Sequence, residues 1–166
     1  MVGSTGTGER KLRFGVVGAG GFAEVCHVPG LQQHPQAVVV ALCGRNAERC
    51  RAMADRLGVP EIATDYHELV QRPDLDAITV ATPDAVHYEI ALAALKAGKH
   101  VFCEKPLTKT VEQARELERE ATARGLTNVV SFTFRYTRAV ERLKEMVADG
   151  AIGKPTYVSM EVHWPS

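Results

Sequence analysis

Residues 12 to 132 alternate between two hydrophobic patterns. Short runs of consecutive apolar residues at Leu12–Val17, Ala37–Cys43, Ala77–Ala81, Lys99–Cys103 and Asn128–Phe132 predict strands covered on both faces. Between them, near Gly21–Gln33, Asn46–Leu57, Ala85–Ala97 and Val111–Arg124, apolar positions recur every three or four residues, which predicts helices. The helix ends carry their own signals. Thr110 and Gln113 form a capping box, with Val111, Ala114, Leu117 and Ala121 following at helical spacing. Gly98 and Gly125 fall just past their helices, where a left-handed residue is wanted. Strands that alternate with helices in this way predict an α/β fold built on a doubly wound parallel sheet.

After residue 132 the pattern changes. Ala139, Val140, Leu143, Met146 and Val147 mark one more amphipathic helix, closed by Gly150. From Thr156 to Trp164 the residues alternate strictly, with Val158, Met160, Val162 and Trp164 on one face. This is the pattern of a half-buried antiparallel strand. A lone strand cannot cover its own face or edges. Either it joins a sheet in another copy, or the chain is the front part of a longer protein and the tail opens a second domain of α+β type.

Composition narrows the classes. The chain has 166 residues, with Lys+Arg and Asp+Glu both 20. A balanced charge draws it neither to nucleic acid nor to an anionic membrane. No stretch reads as a signal peptide or a bilayer span. Cys26, Cys43, Cys50 and Cys103 lack metal-ligand spacing and read as reduced thiols of a cytoplasmic protein. The six histidines show no metal spacing either, so no metal site is expected.

The chemistry collects where strands end. Leu12–Val17 runs into Gly18-Ala19-Gly20-Gly21-Phe22-Ala23, a G-x-G-x-x-A sequence that opens a helix. Gly18 suits the tight turn, Gly20 leaves room for a pyrophosphate, and Ala23 lets helix and strand pack closely. Free N–H groups at such a helix start face the phosphates, and the helix dipole favours negative charge there. Gly44-Arg45 follows the second strand, Thr82-Pro83 follows Ala77–Ala81, and Glu104-Lys105-Pro106 follows Lys99–Cys103. Ligands of open parallel sheets bind at this edge.

Two of these loops bear on cofactor and reaction. From Ala37 to Ala47 there is no acidic residue to hold the ribose of NAD, while Arg45 suits the 2′-phosphate of NADP. NADP is therefore favoured over NAD. Pro106 biases Lys105 toward an extended backbone, which fixes its direction at the sheet edge. There the lysine is placed to exchange a proton with a substrate hydroxyl or carbonyl while hydride moves to or from the nicotinamide, with Glu104 orienting it. His87, one turn into a helix at the same edge, is a further candidate for cofactor contact. His163 falls on the polar face of the last strand.

As an ordered set these residues resemble the glucose–fructose oxidoreductase, inositol dehydrogenase and MocA family of NAD(P)-dependent oxidoreductases. The resemblance runs from about Leu12 onward. It rests on the glycine loop with His27 and Pro29 behind it, Ala81-Thr82-Pro83 with His87, and Ala97-Gly98-Lys99-His100-Val101 leading to Glu104-Lys105-Pro106-Leu107. Phe134-Arg135-Tyr136 and Gly150-Ala151-Ile152-Gly153-Lys154-Pro155 complete it. The resemblance implies a Rossmann-type domain whose Gly18, Gly20, Gly21, Phe22 and Ala23 hold the pyrophosphate and whose Gly44 and Arg45 hold the adenosine ribose. It implies that Thr82, Pro83 and His87 line the way to the nicotinamide. Glu104 and Lys105 would stand by the nicotinamide ribose and substrate, with Lys105 catalytic or substrate-orienting and Arg135 near the substrate. Family members are about twice this length, a size for two domains.

The expected organisation is a flexible tail over 1–10, a dinucleotide-binding domain over 11–131, and an incomplete substrate and oligomerisation domain over 132–166. The expected activity is hydride transfer between a nicotinamide cofactor and an alcohol or carbonyl carbon of a sugar, polyol or similar small molecule. A full-length form is expected to be a homo-oligomer built through the second domain's sheet. The alternatives are a non-catalytic dinucleotide-binding module and a truncated fragment lacking the substrate domain.

Overall fold

The computed structural model describes residues 10–161 and 163. The chain divides into two compact units between Ser131 and Phe132. The first unit is a six-stranded parallel sheet formed by β1 (Leu12–Val17), β2 (Ala37–Cys43), β3 (Glu61–Ala63), β4 (Ala77–Val80), β5 (His100–Glu104) and β6 (Asn128–Ser131). Its spatial order is β3-β2-β1-β4-β5-β6. The direction of winding reverses between β1 and β4, so the loops after those two strands flank the crevice where such sheets take ligands.

Helices α1 (Val28–Gln33), α2 (Ala47–Leu57), α3 (Tyr66–Gln71), α4 (His87–Lys96) and α5 (Val111–Ala123) connect the strands. Two apolar layers result. Val16, Val39 and Leu42 pack with Val28, Cys50 and Met53 on one face. Ala41, Ile78, Val80 and Val101 pack with Leu69, Ile90, Leu95 and Leu117 on the other. Each fully buried Leu, Ile or Val contributes about 1.5–3 kcal/mol, against at most about 1 for an exposed ion pair, so these layers hold the unit together.

The structure adds elements that the hydrophobic pattern does not announce. β3 has three residues and only Ile62 and Ala63 as apolar content, too short for a periodicity to register. α3 is one and a half turns long, begun by Asp65, whose side chain accepts from the His67 N–H at 2.8 Å. The first helix departs from regular geometry. Over Ala23–His27 it is a π-turn in which the Val28 N–H donates to the Ala23 carbonyl five residues back. Pro29 follows, with no N–H to give and a ring that crowds the preceding turn, and the widened turn accommodates it.

The second unit holds a short turn at Thr133–Tyr136 and helix α6 (Arg138–Ala148), which Asp149 and left-handed Gly150 close. The strand expected across Thr156–Trp164 does not form over 156–161. A strand exists only as a ladder with a neighbour, and the described residues provide none here. Val162 and Trp164 lie outside the described residues. So does the expected flexible tail, except Arg10, which is paired to Asp76. Among the described residues no helix is long and apolar enough to cross a membrane.

Candidate functional site

The carboxyl ends of β1, β2, β4 and β5 bring the predicted loops to one edge of the first unit. Gly18 leaves β1 with φ +122°, and its N–H donates to the Cys43 carbonyl at 2.8 Å. A Cβ at Gly18 would stand 2.3 Å from the Ala81 carbonyl oxygen, so only glycine fits between β1 and β4. Gly20 and Gly21 differ. A Cβ at either meets nothing within 4 Å, so their hydrogens face open space.

The first intrahelical bond runs from the Glu24 N–H to the Gly20 carbonyl at 3.1 Å. The N–H groups of Gly21, Phe22 and Ala23 precede it and belong to the positive end of the helix dipole. Ala23 is fully buried against the sheet, whereas Phe22 is half exposed. Across the crevice Thr82 carries a buried hydroxyl that has no hydrogen-bond partner. Bare glycines, N–H groups ahead of the first helical bond and an orphaned hydroxyl gathered at one edge have the chemistry to fit a dinucleotide.

Gly44 sits beside the same loop. Its N–H donates to the Ala63 carbonyl at 3.0 Å, and a Cβ there would press to 3.0 Å from the Ala19 Cβ. Arg45 is exposed at the mouth of α2, where Asn46 caps the helix by accepting from the Arg49 N–H. No acidic side chain pairs with Arg45 among the described residues.

His87 is 1% exposed. Nδ1 lies 2.7 Å from the Pro106 carbonyl oxygen and Nε2 lies 2.8 Å from that of Thr82. It therefore joins the loop after β4 to the loop after β5, and whatever it contributes at this edge passes through those loops. Pro83 is exposed beside it.

Glu104 ends β5, and the following Lys105–Pro106 bond is cis. The Glu104 side chain is buried, with Oε1 2.9 Å from His27 Nε2 and Oε2 accepting from the Lys105 N–H at 3.1 Å. His27 is buried too, edge-on to Phe102 with ring centroids 5.2 Å apart. Lys105 is exposed, and its amine makes no ion pair among the described residues. The sequence places His27 behind the glycine loop but gives no sign that it reaches Glu104, because the π-turn that aims it inward leaves no mark in the hydrophobic pattern. Arg135 belongs to the second unit, where its N–H donates to the Phe132 carbonyl at 3.0 Å.

All four cysteines are free. Burial pushes the Cys43 and Cys103 thiols up to about 12, with Cys50 adding to the effect on Cys43 and Glu104 to that on Cys103. Burial also raises Cys50. No group of three or more His, Cys, Asp or Glu is gathered for a metal among the described residues.

Comparison with known proteins gives a consistent picture. A family model described as an oxidoreductase family with an NAD-binding Rossmann fold matches residues 12–132. Myo-inositol 2-dehydrogenase of Thermotoga maritima is 35% identical over 87% of this chain and 43% of its own length. Scyllo-inositol dehydrogenase of Lactobacillus casei, solved with NAD(H) and scyllo-inositol, superposes with a TM-score of 0.80 at 27% identity, over 87% of this chain and 43% of that one. A 3-ketoreductase of Actinomadura kijaniata, solved with NADP and TDP-benzene, gives 0.79 at 33% identity, over 85% and 44%. The chain thus spans somewhat under half the length of these relatives.

Proposed function

The chain belongs to the glucose–fructose oxidoreductase, inositol dehydrogenase and MocA family of oxidoreductases, and on that premise we propose that it is the cofactor-holding part of an NAD(P)-dependent enzyme acting on a sugar, a polyol or a similar small molecule. The observation that carries the reading is the shared edge of β1, β4 and β5. It joins open glycines and unspent helix N–H groups to a buried threonine hydroxyl and a lysine free of ion pairs.

In this reading Gly18 shapes the turn, and the N–H groups of Gly21, Phe22 and Ala23 hold the pyrophosphate, with Gly20 leaving it space. Gly44 and Arg45 receive the adenosine ribose, and Arg45 favours NADP through a guanidinium–phosphate pair. Thr82 and Pro83 border the nicotinamide, and His87 keeps their loop against the one that carries Lys105. The bound nicotinamide supplies a hydride acceptor or donor. Lys105 takes the proton from a substrate hydroxyl as that carbon loses hydride, or returns it to a carbonyl oxygen in the reverse direction. Glu104 orients Lys105, and Arg135 is assigned to the substrate on the family resemblance.

The free thiols suit a reducing compartment such as the cytoplasm. A full-length form would associate through its second domain. Calorimetric titration of the chain with NADPH and with NADH tests the reading. Saturable binding of one or both is expected, with NADPH tighter. Binding of neither would remove the cofactor assignment.

A further inference from the structure

One buried contact in the first unit ties the glycine-loop helix to the end of β5. His27 and Glu104 lie 77 residues apart in sequence, yet their side chains meet at 2.9 Å with 3% and 9% exposure. Nothing in the binding of a dinucleotide requires a histidine at that place. The pair joins the helix whose first turn would take the pyrophosphate to the end of the strand that delivers Lys105.

We propose that His27 is a positioning residue for Lys105, acting through the Glu104 carboxylate. The inference rests on the reading above, in which Lys105 exchanges the substrate proton. The geometry is a relay of three groups. His27 Nε2 meets Oε1 of Glu104, and Oε2 of the same carboxylate accepts the Lys105 N–H at 3.1 Å. The Lys105 amine is held by no partner among the described residues, so the backbone alone sets where its side chain departs from the sheet edge. That backbone is fixed at its N–H by Glu104, whose rotamer is fixed in turn by His27.

The imidazole is itself held. Its ring stands edge-on to Phe102 at 5.2 Å and tilted to Phe22 at 6.2 Å. It projects from a π-turn, a local widening that changes which residues of the helix face the sheet. Glu104 pairs in register with Ser131 on β6, whose buried hydroxyl has no partner. Ser131 therefore does not substitute for the imidazole in holding the carboxylate. Removing the N–H of His27 leaves Glu104 with the Lys105 amide alone.

The test separates hydrogen bonding from packing. His27→Phe keeps an aromatic ring against Phe102 and removes the donor, whereas His27→Gln keeps an N–H donor at similar reach and removes the ring. In the 15N-labelled full chain, amide hydrogen exchange is measured at Lys105, with Val80 in the buried core as the reference for an intact fold. We expect Lys105 exchange to quicken at least about tenfold in His27→Phe and to stay within about threefold of wild type in His27→Gln, with Val80 unchanged in both. On addition of NADH or NADPH, the Gly20 and Gly21 amide signals should shift in all three proteins. In samples also labelled with 13C at lysine, the Lys105 Cε–Hε signal should shift fully only in wild type and His27→Gln.

Equal Lys105 protection in wild type and His27→Phe would overturn the proposal. Equal loss in both variants would also overturn it, since packing alone would then explain His27. If no amide of the wild-type glycine loop responds to either cofactor, the cofactor reading fails, while the exchange comparison still decides for or against the relay.

Discussion

The two edges of the parallel sheet are built on opposite principles. At the amino ends of the strands, charge is consumed by charge. Arg13 pairs with Asp74 at 2.9 Å, Arg72 reaches Asp74 at 2.8 Å and Glu61 at 2.6 Å, and Arg10 pairs with Asp76. Lys99, 8% exposed, donates to the carbonyls of Arg72 and Leu75 at 2.6 and 2.8 Å. At the carboxyl ends the Thr82 hydroxyl, the Arg45 guanidinium and the Lys105 amine have no such partner among the described residues. The first edge closes the fold, and the second leaves the Arg45 and Lys105 side chains exposed with no ion pair among the described residues.

The comparison is broken most severely at Gly18. Gly18→Ala places a methyl against the Ala81 carbonyl in a backbone conformation that L residues avoid, at a cost of about 2–4 kcal/mol. Urea denaturation should show that loss, and cofactor titration should show binding abolished. Gly20→Ala meets no protein atom, so it should cost no more than about 1 kcal/mol in stability yet still abolish binding. A Gly20→Ala protein that binds cofactor normally would contradict the placement of the pyrophosphate.

A smaller effect is expected at Arg45. Arg45→Ala should weaken NADPH about tenfold, roughly 1.4 kcal/mol, and leave NADH nearly unchanged in paired titrations. Equal losses for both cofactors would remove its selective role.

The smallest effect belongs to the closed edge. Hydrogen bonds from Arg72 and then Arg13 hold the Asp74 carboxyl well below the usual carboxylate range. The folded state thus binds its proton less readily than the unfolded chain does. Stability from Asp74 is therefore present above the unfolded value of about 4, and is lost as pH falls from there toward the depressed folded value. The side chain is 38% exposed, so solvent screening limits the effect to about 1 kcal/mol or less. Asp74→Asn should flatten the acid limb of the stability profile below about pH 4 and leave cofactor affinity at neutral pH untouched.

Most of this contrast was legible in the sequence on one side only. Glycine spacing, the absence of acid between Ala37 and Ala47, and Glu104-Lys105-Pro106 after an apolar strand all announce the open edge. They are local patterns with a chemical reason for their spacing. α3 also left a signal, since Asp65 followed by Glu68 is a helix-start pattern that its short apolar content obscures. The closed edge left none, because Arg13, Glu61, Arg72, Asp74 and Lys99 read as ordinary charged residues until the strands bring them together. His27 is the same case within the site, where a π-turn rather than any periodicity decides which way it faces. The strand expected at Thr156–Trp164 shows the converse, a clear local pattern that forms no ladder over 156–161.

The π-turn has one more consequence, and it concerns reagents rather than ligands. It puts Cys26 on the outside of the helix and His27, its neighbour, on the inside. The other three sulfurs are buried, and their raised thiols hold little thiolate near neutral pH. An ordinary maleimide thereby acquires a single address on the native molecule, one residue from the relay to Lys105. A fluorophore placed there would watch the turn from the solvent side while its interior stays as built.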